Sequence, residues 1–230
     1  MVIEVIAISL TDAKAAEKAG ADRIELVTGV AEGGLTPSYA MIESVCGELS
    51  IPVNVMIRPH SRTFCYDQND LKIMVKDIQI CKKLGASGIV IGTLTEENDI
   101  DQDALKQLIQ AADGMDITFH RAFDEVKNQS KALDILMAYK EISRILTSGG
   151  KNKVTEAVIE IQALVQQANN SHIKIMPGSG LTPDTLPPFI NQVNVSELHF
   201  GTGVRHRSSF DDFIDENKIQ KIREIILPYS

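Results

Sequence analysis

Eight strand-like segments alternate with helical patterns along one 230-residue chain, and polar residues collect where several of those strands should end. A short echo also enters every even-numbered strand: Ala21-Asp22-Arg23-Ile24, Ala86-Ser87-Gly88-Ile89, Ile142-Ser143-Arg144-Ile145 and Val195-Ser196-Glu197-Leu198. These observations predict an α/β fold, a single-domain (β/α)8 TIM barrel over residues 1–230, because a βαβα unit made four times closes naturally into eight parallel strands. The rival, an open doubly wound sheet, calls for a glycine fingerprint after the first strand. Here that position holds Ser9-Leu10-Thr11-Asp12.

Val2–Ile8 reads as strand one, β-branched but interrupted by Glu4, and Ser9 or Thr11 can cap a helix through Ala13, Ala16 and Ala19 that Gly20 ends. Asp22–Val27 is strand two with Glu25 in its middle. Gly29, Gly33 and Gly34 mark a loop, and Pro37 opens a helix with Ile42, Val45, Cys46 and Leu49 on one face. Pro52–Ile57 is strand three, ending at Arg58-Pro59; after a loop, Leu71, Met74, Val75, Ile78 and Cys81 recur at helical spacing. Gly88–Gly92 is an apolar strand of the buried parallel type. Helix Asp101–Ala112 leads to Ile117–Asp124 (Ile-Thr-Phe-His-Arg-Ala-Phe-Asp), whose first four residues form strand five. Helix Ser130–Tyr139, strand Arg144–Thr147, a long helix Val154–Ala168 and strand Ile173–Met176 follow. Thr182-Pro183 can start a short helix, Glu197–Phe200 is strand eight, and Ile214–Leu227 is the last helix.

Composition narrows the function. The chain is 43% hydrophobic and 23% charged, with a net charge of −8, which argues against nucleic acid or an anionic membrane as a partner, since both select a basic field. No apolar run approaches the roughly 20 residues of a membrane span. Glu4 follows the start at once without a basic segment, so no secretory signal is expected. Three cysteines without CxxC spacing suit a reducing, cytoplasmic setting.

In a barrel of this kind chemistry gathers at the C-terminal ends of the strands. The candidates for catalysis are Glu4, Glu25, Arg58, His120, Arg121 and Asp124. His120 and Arg121 at a strand tip can bind an anion, move a proton, hold a metal, or simply cap backbone. Period-two alternation puts Glu4 with Ile6 and Glu25 with Val27 on one face of strands one and two. If those faces point inward, two carboxylates sit together and need a cation; Arg58 or Arg121 is expected to supply it, leaving either acid–base chemistry or a salt-bridged layer that only fixes the barrel. Ser148-Gly149-Gly150, Gly178-Ser179-Gly180 and Gly201-Thr202-Gly203 resemble the glycine-rich tips of a phosphate site, with Ser148, Gly149, Gly150, Gly178, Gly180, Gly201 and Thr202 as anion-binding candidates. Arg205-His206-Arg207 beside them reads as a solvated loop in preference to a lid.

The chain carries, in order, Ala21-Asp22-Arg23-Ile24-Glu25-Leu26, Glu32-Gly33-Gly34-Leu35-Thr36-Pro37-Ser38, Met56-Ile57-Arg58-Pro59, Thr118-Phe119-His120-Arg121-Ala122-Phe123-Asp124, Leu146-Thr147-Ser148-Gly149-Gly150 and Met176-Pro177-Gly178. On these motifs it resembles the CutC copper homeostasis family over nearly its whole length. The resemblance implies a cytoplasmic TIM barrel, a homo-oligomer (dimer or tetramer), and Cu(I) handling. In some relatives cysteines near the ends of strands one and two are the proposed copper ligands; the matching residues here are Ile6 and Val27, which cannot bind metal. Cu(I) prefers thiolate and thioether, with imidazole acceptable. The metal candidates are therefore Cys65 in the loop after strand three with His60, His120 and His199, and Met56 or Met176 as thioethers. Two functions follow: cytosolic Cu(I) handling, by resemblance, or an enzyme acting on a small anionic or phosphorylated compound, with anion held by the glycine tips and Arg58 or Arg121, and Glu25 and His120 sharing proton transfer.

Overall fold

The computed structural model describes residues 1–229 and shows eight parallel strands in a nearly closed barrel surrounded by helices. In chain order these are β1 (Val2–Ala7), α1 (Leu10–Ala19), β2 (Arg23–Leu26), α2 (Tyr39–Glu48), β3 (Val53–Met56), α3 (Gln68–Lys83), β4 (Gly88–Ile91), α4 (Gln102–Ala112), β5 (Asp116–Phe119), α5 (Gln129–Met137), β6 (Ile142–Thr147), α6 (Val158–Ala168), β7 (Lys174–Pro177), α7 (Leu186–Ile190), β8 (Glu197–Phe200) and α8 (Glu216–Ile226). Ladders join neighbours from β7 through β1 and on to β8. No ladder joins β7 to β8, which lie side by side and close the ring by packing.

The helices begin where the chain offers an oxygen to orphan N–H groups. Ser9, Ser38, Asp101, Asn128 and Asp215 each accept from the first turn of α1, α2, α4, α5 and α8, and Asp67 with Asp70 forms a reciprocal capping box on α3. Two expectations shift. The long helix expected from Val154 is a 3-10 turn, Val154–Glu156, broken before α6 at Ala157, whose φ of −120° and ψ of 29° is not helical. The break lets the Ala157 methyl pack on Gly149, where an added Cβ would lie 2.6 Å away. Thr182 and Thr185 bond each other in a turn, so α7 starts only at Leu186.

Strand alternation sorts side chains into two cores. Ile3, Val5, Ile24, Leu26, Val55, Ile89 and Ile91 face outward and are fully buried under the helices. Inside the ring Val27, Met56 and Val90 form a small apolar cluster with Ile6, Ile8 and Val30 against it. Much of the interior below it is polar. Arg23 bridges Glu4 at 2.5 Å and Glu197 at 2.5 Å, and Arg144 joins Glu197 at 2.9 Å to Asp116 at 2.5 Å. Asn54 extends the chain to Asp116 at 3.1 Å. Inward glycines make room for these groups: a Cβ on Gly88 would lie 2.5 Å from Asn54 Oδ1, and one on Gly92 2.4 Å from the His120 ring.

Candidate functional site

The C-terminal mouth of the barrel opens into a cavity of about 300 Å3. Its walls include Glu25, Met56, Arg58, Phe64, His120, Arg121, His199, Ser179, Gly180, Leu181, Gly201, Thr202, Gly203 and Phe210. Of the proposed catalytic set, Glu25, Arg58, His120 and Arg121 therefore share one chamber.

Glu4 does not line it. Its carboxylate is fully buried a layer below, holding Arg23 with one oxygen and His199 Nδ1, at 2.8 Å, with the other. The cations expected to neutralise the inward carboxylates are accordingly different ones. Arg23 and His199 serve Glu4 and Glu25, whereas Arg58 and Arg121 are committed elsewhere, because strand alternation places Arg23 directly in the carboxylate layer and carries Arg58 and Arg121 beyond the strand ends.

His199 links the two acids, with Nε2 3.5 Å from Glu25 Oε2. Burial alone would hold the imidazole neutral, but the Glu25 charge and the bond to Glu4 outweigh it and raise its pKa. Burial likewise opposes ionisation of Glu4, yet Arg23 and His199 win and lower it to about 2. For Glu25 burial dominates, reinforced by the Glu4 charge, and raises its pKa to about 7. The physical picture is an ionised Glu4, a His199 that tends to keep its proton, and a Glu25 that exchanges one near neutrality. Glu25 Oε1 is buried without a partner among the described residues.

On the facing side, His120 follows β5 and accepts the Ala122 N–H on Nδ1 at 3.1 Å. Burial first, and then the Arg58 charge, lowers its pKa to about 3, so the ring is neutral. Its Nε2 is buried and unpartnered. Arg58 gives its terminal nitrogens to the carbonyls of Glu32, Gly34 and Ser61, all neutral acceptors, while its Nε is buried without a partner. Its guanidinium lies 4.4 Å over the Phe64 ring.

The three glycine tips separate into two kinds. Asp124, proposed for catalysis, turns into the β6 loop: its carboxylate accepts from Ser148 N, Gly150 N, the Thr147 and Ser148 hydroxyls and Arg121 Nε. Gly149 N goes to Thr147 Oγ1. The anion pocket expected at Ser148, Gly149 and Gly150 is thus filled by the protein's own carboxylate, because Asp124 reaches it from the 3-10 turn after β5. Asp124→Ala is expected to destabilise the protein by about 2–4 kcal/mol, leaving several buried donors unsatisfied, and urea denaturation checks it. A loss below about 0.5 kcal/mol would mean that water replaces the carboxylate freely.

The β7 and β8 tips differ. The N–H groups of Ser179, Gly180, Leu181, Gly201, Thr202 and Gly203 have no acceptor among the described residues. Gly178, by contrast, sends its N–H to Thr147 O, and its missing Cβ admits Leu146 and His199. The two loops touch: a Cβ on Gly203 would fall 1.8 Å from Leu181 O. Gly180, Gly201 and Thr202 therefore face the cavity, and Gly178 serves packing.

Beyond β8, Arg205 corrects the solvated-loop expectation. It is fully buried, bonding Asp12 at 2.7 Å, Ile6 O at 3.1 Å and Asp212 O at 2.9 Å, and it lies 4.8 Å from the Phe210 ring that covers part of the cavity. His206 and Arg207 are exposed as expected.

The copper candidates fall into two groups, with His120, His199 and Met56 on the cavity and the thiol elsewhere. Cys65 and His60 border a separate outer groove, where His60 pairs with Asp70 at 3.1 Å, while His120 and His199 lie inside the mouth. Burial and the charges of Glu96, Asp101 and Glu97 raise the Cys65 pKa, away from thiolate. Met176 accepts from Arg23. Among the described residues, no group of three or more His, Cys, Asp or Glu side chains could hold a metal ion. Cys65, the only candidate thiolate, stands apart from the cavity histidines and Met56, so the described donors offer no thiolate-anchored Cu(I) site.

Fold and cavity define a (β/α)8 barrel with a polar, partly unsatisfied chamber at its C-terminal mouth. The chain belongs to the CutC family, whose model matches residues 1–204. A family protein CutC from Pasteurella multocida is 41% identical over 206 residues, 89% of this chain and 84% of that protein. The human copper homeostasis protein cutC homolog is 39% identical over 197 residues, 86% of this chain and 71% of that one. A solved CutC structure from Streptococcus agalactiae superposes with a TM-score of 0.81 at 38% identity, covering 87% of this chain and 98% of that one. No helix among the described residues is long and apolar enough to cross a membrane.

Proposed function

We propose that this barrel is an enzyme acting on a small anionic, phosphorylated compound, with Glu25 exchanging a proton with the substrate. The observation that carries the reading is Glu25 itself: a buried carboxyl with one free oxygen on the cavity, poised near neutral pH and backed by His199 and Glu4. Its counterpart is the anion side. Arg58 is a buried cation without a carboxylate partner among the described residues, and the β7 and β8 tips offer N–H groups that none of those residues accepts. In this reading Arg58 and the loop N–H groups hold the anion, Glu25 moves the proton, and Glu4 is a positioning residue that orients His199. A set of phosphorylated sugars and inorganic phosphate tests the binding step by thermal shift. Saturation at about 100 times Kd should stabilise the protein by about 2.7 kcal/mol. A response no larger than that to chloride of equal ionic strength would sink the anion site.

Copper handling in the cytoplasm is the second reading, favoured by the name of the human relative. The scattered soft ligands speak against it, with Cys65 apart from both cavity histidines. Anaerobic Cu(I) titration of the reduced protein against a competing chelator is expected to show no stoichiometric binding, in wild type or Cys65→Ser. Tight one-to-one binding lost in that variant would reverse the ranking.

A further inference from the structure

We infer that His120 is a hydrogen-bond donor to a substrate carbonyl, and that the reaction is proton abstraction from the carbon beside it. This deepens the reading above and rests on it. The argument starts with the imidazole tautomer. Nδ1 accepts the Ala122 N–H, so in a neutral ring the single proton must sit on Nε2. That N–H is buried, has no acceptor among the described residues, and belongs to a ring on the cavity wall. A buried donor without a partner costs stability, so a ligand oxygen is its natural complement.

The ring cannot readily become imidazolium, since protonation would place a second charge beside Arg58 and break the bond from Ala122. His120 is therefore built to donate, which separates its role from the shared proton transfer expected of it. Across the mouth, Glu25 Oε1 is an acceptor without a donor. One unpaired donor and one unpaired carboxyl oxygen on the walls of one chamber match a C–H acid next to a C=O. A phosphate on the β7 and β8 loops would complete a three-point fit for a phosphorylated hydroxy-carbonyl compound.

The step balances without a co-reactant. The Glu25 carboxylate takes the proton from the carbon next to the carbonyl. The C–H electron pair becomes the C=C bond of an enediolate, and the carbonyl π pair moves onto oxygen, where His120 Nε2–H donates a hydrogen bond. Glu25 then returns its proton to the former carbonyl carbon. The hydroxyl proton passes from one oxygen to the other, and the net change is an isomerisation.

Two measurements test this. In 15N-resolved NMR of the imidazole, His120 should remain the neutral Nε2–H tautomer from pH 5 to pH 9; an Nδ1–H tautomer, or titration near neutrality, overturns the inference. The second compares 2-phosphoglycolohydroxamate, a planar enediolate mimic, with inorganic phosphate. Wild type should bind the mimic at least about 100-fold more tightly, an advantage lost in His120→Ala and kept within about 10-fold in His120→Gln, which retains an N–H donor. Phosphate binding without that advantage overturns the carbonyl donor and leaves the anion site standing. Failure to bind either probe overturns the proposed function and this inference with it.

Discussion

Arg23→Ala is expected to destabilise the barrel by about 3–5 kcal/mol, the loss seen when one partner of a buried ion pair is removed. Arg23 is only 7% exposed and neutralises Glu4 from one side and Glu197 from the other, so its truncation strands two carboxylates in the ring. Glu197 retains Arg144, and Glu4 retains His199, which limits the damage to partial neutralisation in each case. Urea denaturation at pH 7 reads the loss directly. Adding Glu4→Gln and Glu197→Gln should recover much of it, because the charges that needed Arg23 are then gone. A single variant within about 1 kcal/mol of wild type would show that the layer is not an electrostatic unit.

Glu25→Gln should have opposite effects on activity and on stability. Proton transfer is lost with the carboxyl, and a fall of at least about 100-fold in kcat is expected once a substrate is in hand. Stability relative to wild type should rise progressively as pH climbs above 4.5, reaching the full gain above about pH 7. The Glu25 pKa is raised in the fold from 4.5 to about 7, so the folded protein favours the protonated form. That contribution is complete below pH 4.5 and is lost as pH climbs through 7. In wild type the ionised carboxyl costs about 3 kcal/mol at pH 8, and the variant should be more stable there by a similar amount. At pH 5 the difference should fall below about 1 kcal/mol. Equal stabilities at both values would mean that Glu25 is no better solvated unfolded than folded.

The architecture was legible because alternation and repetition are properties of the chain. Glu197–Phe200 was placed residue for residue, and Asp22–Val27 and Pro52–Ile57 overran β2 and β3 by one residue at each end. The same period of two could have gone further. Counting back from Glu25 reaches Arg23, and counting back from His199 reaches Glu197, which places both inside the ring. Arg144 follows likewise from Ser148 and Leu146 on β6. What the pattern does not encode is which cation meets which carboxylate across the ring, since that depends on strand stagger and not on local sequence. Asp124 shows the same boundary. Its reach into the Ser148–Gly150 tip joins residues 24 and 26 positions apart, and spacing alone leaves that tip looking like an open anion site. Arg205 reads as solvated in the sequence because its partner Asp12 is 193 positions away.

The missing ladder between β7 and β8 makes the barrel a split ring, and the two loops with spare N–H groups sit at the lips of that split. A ligand spanning Gly180 and Gly201 would act as a clasp, fastening edges that the backbone leaves unbuttoned. Occupancy should then be felt as slower amide exchange along both edge strands, well below the mouth, so that substrate recognition and closure of the scaffold become one event.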